Sequence, residues 1–321
     1  MSLFPTFGDD DGGDANPSAT ADQGHSATLL LRNTSIFDND ERMQPHVESG
    51  RAQLVQGDAL VQDDVKTVWE KATDYGRAVD YVVFTIGKLG SMKSPCGWAS
   101  SPPTSFVGAT PDMSSFKLTK GFTINPPNIT TKAILNVLCT MPNSDPRPKI
   151  IAATSIGVTK DSPLPLVYKP LYGYLLREPH ADKLGLERIL AHASGRTWDD
   201  KEPRTEMTTV DAVRWQDRKG LPASGSVETL VLRLPIFAGG DSKRAPSPSK
   251  TKAGVSSPPP TAEGEPEVKK KDEEEKQKYR VGGGELSGTY TISREEVAHF
   301  IAETAVKRWD EFKGKAVTLS R

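Results

Sequence analysis

Along the chain, short continuously apolar runs take turns with longer stretches in which apolar positions recur every three or four residues. The runs are Ala27–Arg32 (ATLLLR), Gln53–Gln56 (QLVQ), Val79–Gly87 (VDYVVFTIG), 149–155 (KIIAATS) and 228–235 (ETLVLRLP), the last ended by Pro235. A half-exposed strand alternates apolar and polar positions, whereas a strand covered on both faces is apolar throughout. These runs are of the second kind. Between them, 62–75 places Val65, Val68, Trp69 and Ala72 on one helical face. Residues 128–141 do the same with Ile129, Ala133, Ile134, Val137 and Leu138, and the stretch near 180–193 with Leu184, Leu186, Ile189 and Leu190. Ser293 and Glu296 form an S-x-x-E capping box that opens a helix over 293–310, burying Val297, Phe300, Ile301 and Ala305. Lys307 and Arg308 suit the negative end of its dipole. Ala316–Ser320 reads as a last strand.

Strand and helix in this order predict an α/β fold, a Rossmann-like doubly wound parallel sheet with helices on both faces. Its first strand reads as missing or degenerate. Residues 8–26 hold almost no large apolar side chain, and Leu3–Phe7 is interrupted by Pro5. Loss of that strand would leave unpaired backbone along two inner strands. The organisation predicted is a disordered acidic segment over 1–24, a Rossmann-like domain over 25–241, a disordered low-complexity insertion over 242–278, and a continuation of the same domain over 279–321. The insertion is rich in Pro, Ser, Lys and Glu with little to bury. Residues 88–125, rich in Gly, Ser and Pro, read as a long loop that carries Trp98.

Composition narrows the function classes. With 41 basic and 42 acidic residues the net charge is −1, which offers no electrostatic case for nucleic acid or an anionic membrane. No run approaches the roughly 18 apolar residues of a membrane span, and the N-terminus lacks a signal pattern. Cys96 and Cys139 match no metal spacing and read as reduced thiols, so the expected location is cytoplasmic and no metal is expected.

In a doubly wound sheet, ligands bind beyond the carboxyl ends of the strands. The runs finish in Arg32–Asn33, Gly57–Asp58, Thr85–Ile86–Gly87, Thr154–Ser155 and Arg233–Leu234–Pro235. Each has an ordinary explanation: a solvated strand end for Arg32, a helix cap for Asp58, a strand stop for Gly87, a loop hydroxyl for Ser155. Together on one edge they form a nucleotide-site candidate.

The succession LLLRN, QGD, DYVVFTIG, KIIAATSIG, DKLGLERIL, TLVLRLPIFAGG and YTISREEVAHFIAE resembles the short-chain dehydrogenase/reductase superfamily, in its atypical, NmrA-like NAD(P)-binding branch. The resemblance covers about 25–240 and 279–320. It implies an oxidoreductase using NADP(H) and a small carbonyl substrate. Arg32 would meet the 2′-phosphate, a charge-assisted and often bidentate contact. Asp58 would bind the adenine amino group, and Thr85, Ile86 and Gly87 would pass the adenosine ribose. Ser155 would polarise the carbonyl, and Lys183 would hold the nicotinamide ribose. Glu187, four residues on, also fits a surface ion pair with Lys183.

Two departures stand against the resemblance. Where the superfamily has its proton-donating tyrosine, four residues before the lysine, this chain has Pro179. His180 is adjacent, and Tyr168, Tyr172 and Tyr174 lie upstream. The glycine-rich turn G-x-x-G-x-x-G is also absent, because Gly8, Gly12 and Gly13 lack its spacing and follow Asp9–Asp11. The alternatives to an enzyme are a non-catalytic nucleotide-sensing protein with a protein partner, or an inactive N-terminally truncated form.

Overall fold

The computed structural model describes residues 2–5, 25–73, 78–86, 116–117, 121–158, 173–198, 215–237, 279–283, 286 and 291–321. Gly87, Trp98, Tyr168, Tyr172 and the low-complexity stretch 242–278 lie outside them, as do residues 6–24.

The strands, in chain order, are β1 (Ser2–Pro5), β2 (Ala27–Leu31), β3 (Ala52–Gln56), β4 (Val79–Phe84), β5 (Phe116–Lys117), β6 (Gly121–Phe122), β7 (Lys149–Ser155), β8 (Thr229–Leu234), β9 (Ile236–Phe237), β10 (Arg280–Gly282), β11 (Thr291–Ile292) and β12 (Ala316–Ser320). The α-helices are α1 (Gln44–Glu48), α2 (Gln62–Thr73), α3 (Ile129–Thr140), α4 (Arg177–Ala193), α5 (Arg294–His299) and α6 (Trp309–Phe312). The main sheet has the order β10-β12-β8-β7-β4-β1-β2-β3. The pairs β2–β3, β4–β7, β7–β8 and β8–β12 are parallel. β10 pairs antiparallel with β12, and β5–β6 and β9–β11 form separate two-stranded pairs.

This is an α/β fold with a parallel-dominated sheet of Rossmann-like construction, and the apolar runs of the sequence are its inner strands. Each face of the sheet has its own core. On one, Leu30, Val55, Val82, Phe84, Ile150 and Val231 meet side chains of α2, α3 and α4. On the other, Leu29, Val83, Ile151 and Leu230 meet Met43 ahead of α1 together with Val297, Phe300 and Trp309. The helical faces expected from 3.6-residue spacing are the buried ones: Val65, Val68, Trp69 and Ala72 in α2. Trp69 Nε1 donates to Thr140 Oγ1 at 3.1 Å and ties α2 to α3.

β1 changes the expectation about the inner strands. Ser2–Pro5 fills the slot between β4 and β2, so neither neighbour is left unpaired there, but it runs antiparallel to both. Ser2 lies beside Leu29 and Val83, near the carboxyl ends, while Pro5 lies beside Val79, at the start of β4. The chain therefore leaves β1 at the edge opposite the carboxyl rim. A register shift falls between Phe4 and Pro5, where proline has no N–H to give.

The C-terminal helix also differs from the single helix expected over 293–310. The capping box is present, with Ser293 N–H donating to Glu296 Oε2 at 2.8 Å and Glu296 N–H to Ser293 Oγ at 3.1 Å. After α5, however, Phe300–Val306 is a π-helix. Its i→i+5 turns bring residues five apart onto one face, and Phe300 and Ala305 are both fully buried.

Candidate functional site

β2 leads away to β3 on one side, and β4 leads to β7 and β8 on the other. The sheet thus has a switch point around β1, and the crevice beyond the carboxyl ends there is where an open α/β sheet takes a ligand. Gly57 N–H donates to Leu31 O at 2.9 Å and holds the ends of β2 and β3 side by side. A Cβ on Gly57 would stand 2.9 Å from Asp64 Cβ and 3.0 Å from Leu30, so the turn needs glycine. Arg32, the first residue past β2, is exposed. Its guanidinium makes no hydrogen bond or ion pair among the described residues. Asp58 is next to Gly57. Its Oδ1 accepts the Leu60 N–H at 2.9 Å, and its own N–H donates to Asp64 Oδ2 at 2.7 Å. One carboxylate oxygen is thus engaged in the turn that enters α2, as the capping explanation expects. Thr85 and Ile86 follow β4 on the same rim and are half-buried, with Ile86 against the core under α2 to α4. The β2, β3 and β4 ends are therefore brought together, around the slot of β1.

The β7 end is organised differently from the sequence expectation. Thr154 Oγ1 donates to Glu187 Oε1 on α4 at 2.8 Å. Ser155, next along the strand, points by alternation to the other face. There it registers with Leu234, which belongs to the core under α1 and α5. Ser155 Oγ is buried and makes no hydrogen bond among the described residues. Lys183 is therefore grouped with Thr154 and Glu187, and it makes no bond to Ser155.

Glu187 is no surface partner of Lys183 either. It is fully buried, and it accepts from Arg233 Nε at 3.2 Å and Arg233 Nη2 at 2.7 Å. Arg196 stands near both of these groups, and burial lowers its pKa from the ordinary arginine value. Asp182, the residue before Lys183, is spent on α3. Asn128, the residue before that helix, has φ 58° and offers no side-chain cap. Asp182 caps α3 instead, its carboxylate accepting Thr130 N–H and Thr131 N–H, each at 2.9 Å.

Lys183 lies one turn above Glu187. The last turn of α4 meets the residues that lead into β8, with Val227 N–H donating to Ala193 O at 3.0 Å. Hence α4 runs down from the carboxyl rim and Lys183 is at its rim end. Burial pushes the Lys183 amine down to about 8, against the pull of Asp182 and Glu187. Burial, and then the Lys183 charge, push His180 down to about 3, so its imidazole is neutral near physiological pH. Pro179 is buried in the first turn of α4, where its missing N–H costs nothing. Tyr174 is exposed. His299 shares a 3.0 Å hydrogen bond with Tyr279 OH on the far side of the sheet.

Sequence reading missed Asp182, Arg196 and the pairing of Arg233. For Arg233 a signal existed: one charge inside the apolar run TLVLRL requires a buried partner. Among the described residues, no helix is long and apolar enough to cross a membrane.

No protein-family model and no curated protein matches the chain. Among solved structures, it is similar to a wide-type short-chain dehydrogenase/reductase from Veillonella parvula in complex with NADP. The identity is 9%, 92% of this chain and 82% of that chain are covered, and the TM-score is 0.46. The ethylated form of the Veillonella enzyme gives 9%, 92%, 81% and 0.45. A short-chain dehydrogenase from Streptomyces avermitilis gives 13% identity, 69% and 59% coverage, and 0.38. At these scores the likenesses carry nothing about activity or cofactor. The strand order and crossovers define the class: a doubly wound α/β protein with its crevice at the β1 switch point.

Proposed function

We propose that the carboxyl rim binds a nicotinamide dinucleotide and prefers NADP(H) to NAD(H), in a protein of the short-chain dehydrogenase/reductase kind. One observation carries this reading: Arg32 ends β2 exposed and without a partner among the described residues, beside Gly57–Asp58 on the same edge. A guanidinium so placed suits a 2′-phosphate. The second carboxylate oxygen of Asp58, which accepts no hydrogen bond among the described residues, suits the adenine amino group, and Thr85 and Ile86 suit the ribose.

The residues fit the two ends of the cofactor unequally. The adenosine end has side chains to meet it. Among the described residues the diphosphate meets no strand-to-helix turn from β1, which runs toward the opposite edge of the sheet. The arrangement therefore favours a nucleotide-sensing, regulatory role over tyrosine-dependent carbonyl reduction. Pro179 supplies no proton, and Ser155 and Lys183 do not converge. The oxidoreductase reading, with a small carbonyl as substrate, keeps one supporting feature, the lowered amine of Lys183 at the rim.

Titration of the full chain with NADPH, NADH and 2′,5′-ADP, followed by nucleotide fluorescence and thermal shift, tests the reading. NADPH is expected to bind more tightly than NADH, and Arg32→Ala to weaken NADPH roughly tenfold or more with little effect on NADH. 2′,5′-ADP should keep most of the affinity. Equal loss for both dinucleotides, or no shift at millimolar concentration, rejects the proposal. Binding without turnover across a carbonyl panel selects sensing over reduction.

A further inference from the structure

We propose that Lys183 is a nucleophilic amine site that captures small aldehydes as an imine, a chemistry separate from any bound nucleotide.

Two carboxylates flank Lys183 on α4, and either would ordinarily neutralise it as an ion pair. Both are committed elsewhere. The Asp182 oxygens are taken by the Thr130 and Thr131 amides at 2.9 Å. The Glu187 oxygens are taken by Thr154 Oγ1 at 2.8 Å and by Arg233 Nε and Nη2 at 3.2 and 2.7 Å. Arg196 adds a second guanidinium near Glu187. The Lys183 ammonium is left with no hydrogen bond or ion pair among the described residues. It nevertheless sits against the protein body, where burial of an ammonium with no hydrogen-bond partner outweighs the pull of the two nearby carboxylates.

Lys183 is at the rim end of α4, beyond Thr154 at the carboxyl end of β7, and it is half-buried, so part of it stays open to a small molecule. His180, three residues back, is neutral and contributes no second charge. With its titration pushed down to about 8, the amine is unprotonated at pH 7.5 about 200 times as often as a lysine of ordinary value 10.5. A lysine desolvated in this way is a recognised nucleophile for carbonyl carbon.

The step balances without an outside oxidant or reductant. The neutral amine lone pair forms the N–C bond, the carbonyl π electrons pass to oxygen, and one of the two nitrogen protons moves through water to that oxygen to give the carbinolamine. The carbinolamine then loses that oxygen as water while nitrogen gives up its proton. One amine and one aldehyde yield one imine and one water.

The test uses the full chain, without nucleotide, incubated with propionaldehyde and sodium cyanoborohydride at pH 7.5. Peptide mapping by mass spectrometry then compares Lys183 with the exposed Lys132 and Lys219. Lys183 is expected to gain the propyl adduct roughly tenfold faster than either comparator. Its advantage should shrink as pH is raised well above 8, where Lys183 is already largely neutral and gains no further reactive fraction. Lys183→Arg, which keeps a cation but forms no imine, should lose the fast adduct, and its thermal melt reports whether it folds. Labelling spread over exposed lysines with no preference for Lys183, or no adduct at Lys183, overturns the proposal. Because no nucleotide is present, this result stands apart from the NADPH titration.

Discussion

Replacing Glu187 by alanine removes the centre of the buried charge cluster at the ends of β7 and β8. Glu187 has no exposed surface, and the Arg233 side chain opposite it is 15% exposed. Its carboxylate accepts one hydroxyl and two guanidinium bonds. Arg196 and Lys183 also stand within reach of its charge. Taking one member from a buried ion pair costs about 3–5 kcal/mol, because the other charge is left without compensation. The hydroxyl of Thr154 loses its partner at the same time. The expected loss is therefore about 4 kcal/mol, or a fall in Tm of roughly 8–16 °C for a chain of this size.

Urea unfolding measures this through the midpoint, with the slope unchanged. Glu187→Gln keeps an acceptor of the same shape and removes only the charge, so about half the loss is expected. The double change Glu187→Leu with Arg233→Met would be close to neutral for an isolated buried pair. Here Arg196 and Lys183 remain without their countercharge, so part of the loss should persist. A midpoint shift in Glu187→Ala worth less than about 1 kcal/mol would mean a pair screened by solvent, and would refute the cluster as described.

Asp182→Ala uncaps α3 and leaves the Thr130 and Thr131 amides buried without partners, an expected loss of about 2–3 kcal/mol in urea unfolding, with Asp182→Asn near half of it. His180 gives a pH signature. Its folded form binds a proton only near 3 and its unfolded form near 6.5, so the unfolded state holds more protons in between. Stability is then full above pH 6.5 and falls as pH drops toward 3. His180→Gln should flatten that acid limb of the urea midpoint; an unchanged limb would assign it to other groups.

Legibility in the sequence followed the range of the interactions. Elements set by local periodicity were readable, from ATLLL and KIIAATS as inner strands to the buried face of α2. The Ser293–Glu296 cap was readable because both partners lie within one turn. Asp182 was not, because it caps a helix that begins more than fifty residues earlier. The facing of Thr154 and Ser155 was hidden for another reason. A strand buried on both sides is apolar at every position, so its pattern does not mark which face is which. The rim residues were found because strand ends can be read off the sequence, and their pairings were missed because partners across the sheet cannot.

β1 shows how one strand can answer two requirements separately. In a parallel orientation it would pair β2 with β4 and also deliver a turn at the carboxyl rim. Reversed, it still pairs Ser2 and Leu3 with Leu29 and Thr28, and Ser2 through Pro5 with β4. The sheet is thereby closed at its centre, which is what the backbone of two inner strands demands. Among the described residues the rim gains no helix N-terminus from this strand, and so no backbone cradle for a diphosphate there. Under the proposed function, nucleotide affinity would then come from side chains such as Arg32. Contacts of that kind, exposed and electrostatic, weaken as salt rises, whereas a backbone cradle depends mainly on geometry. A salt dependence of the proposed NADPH binding would thus follow from the direction in which four residues run.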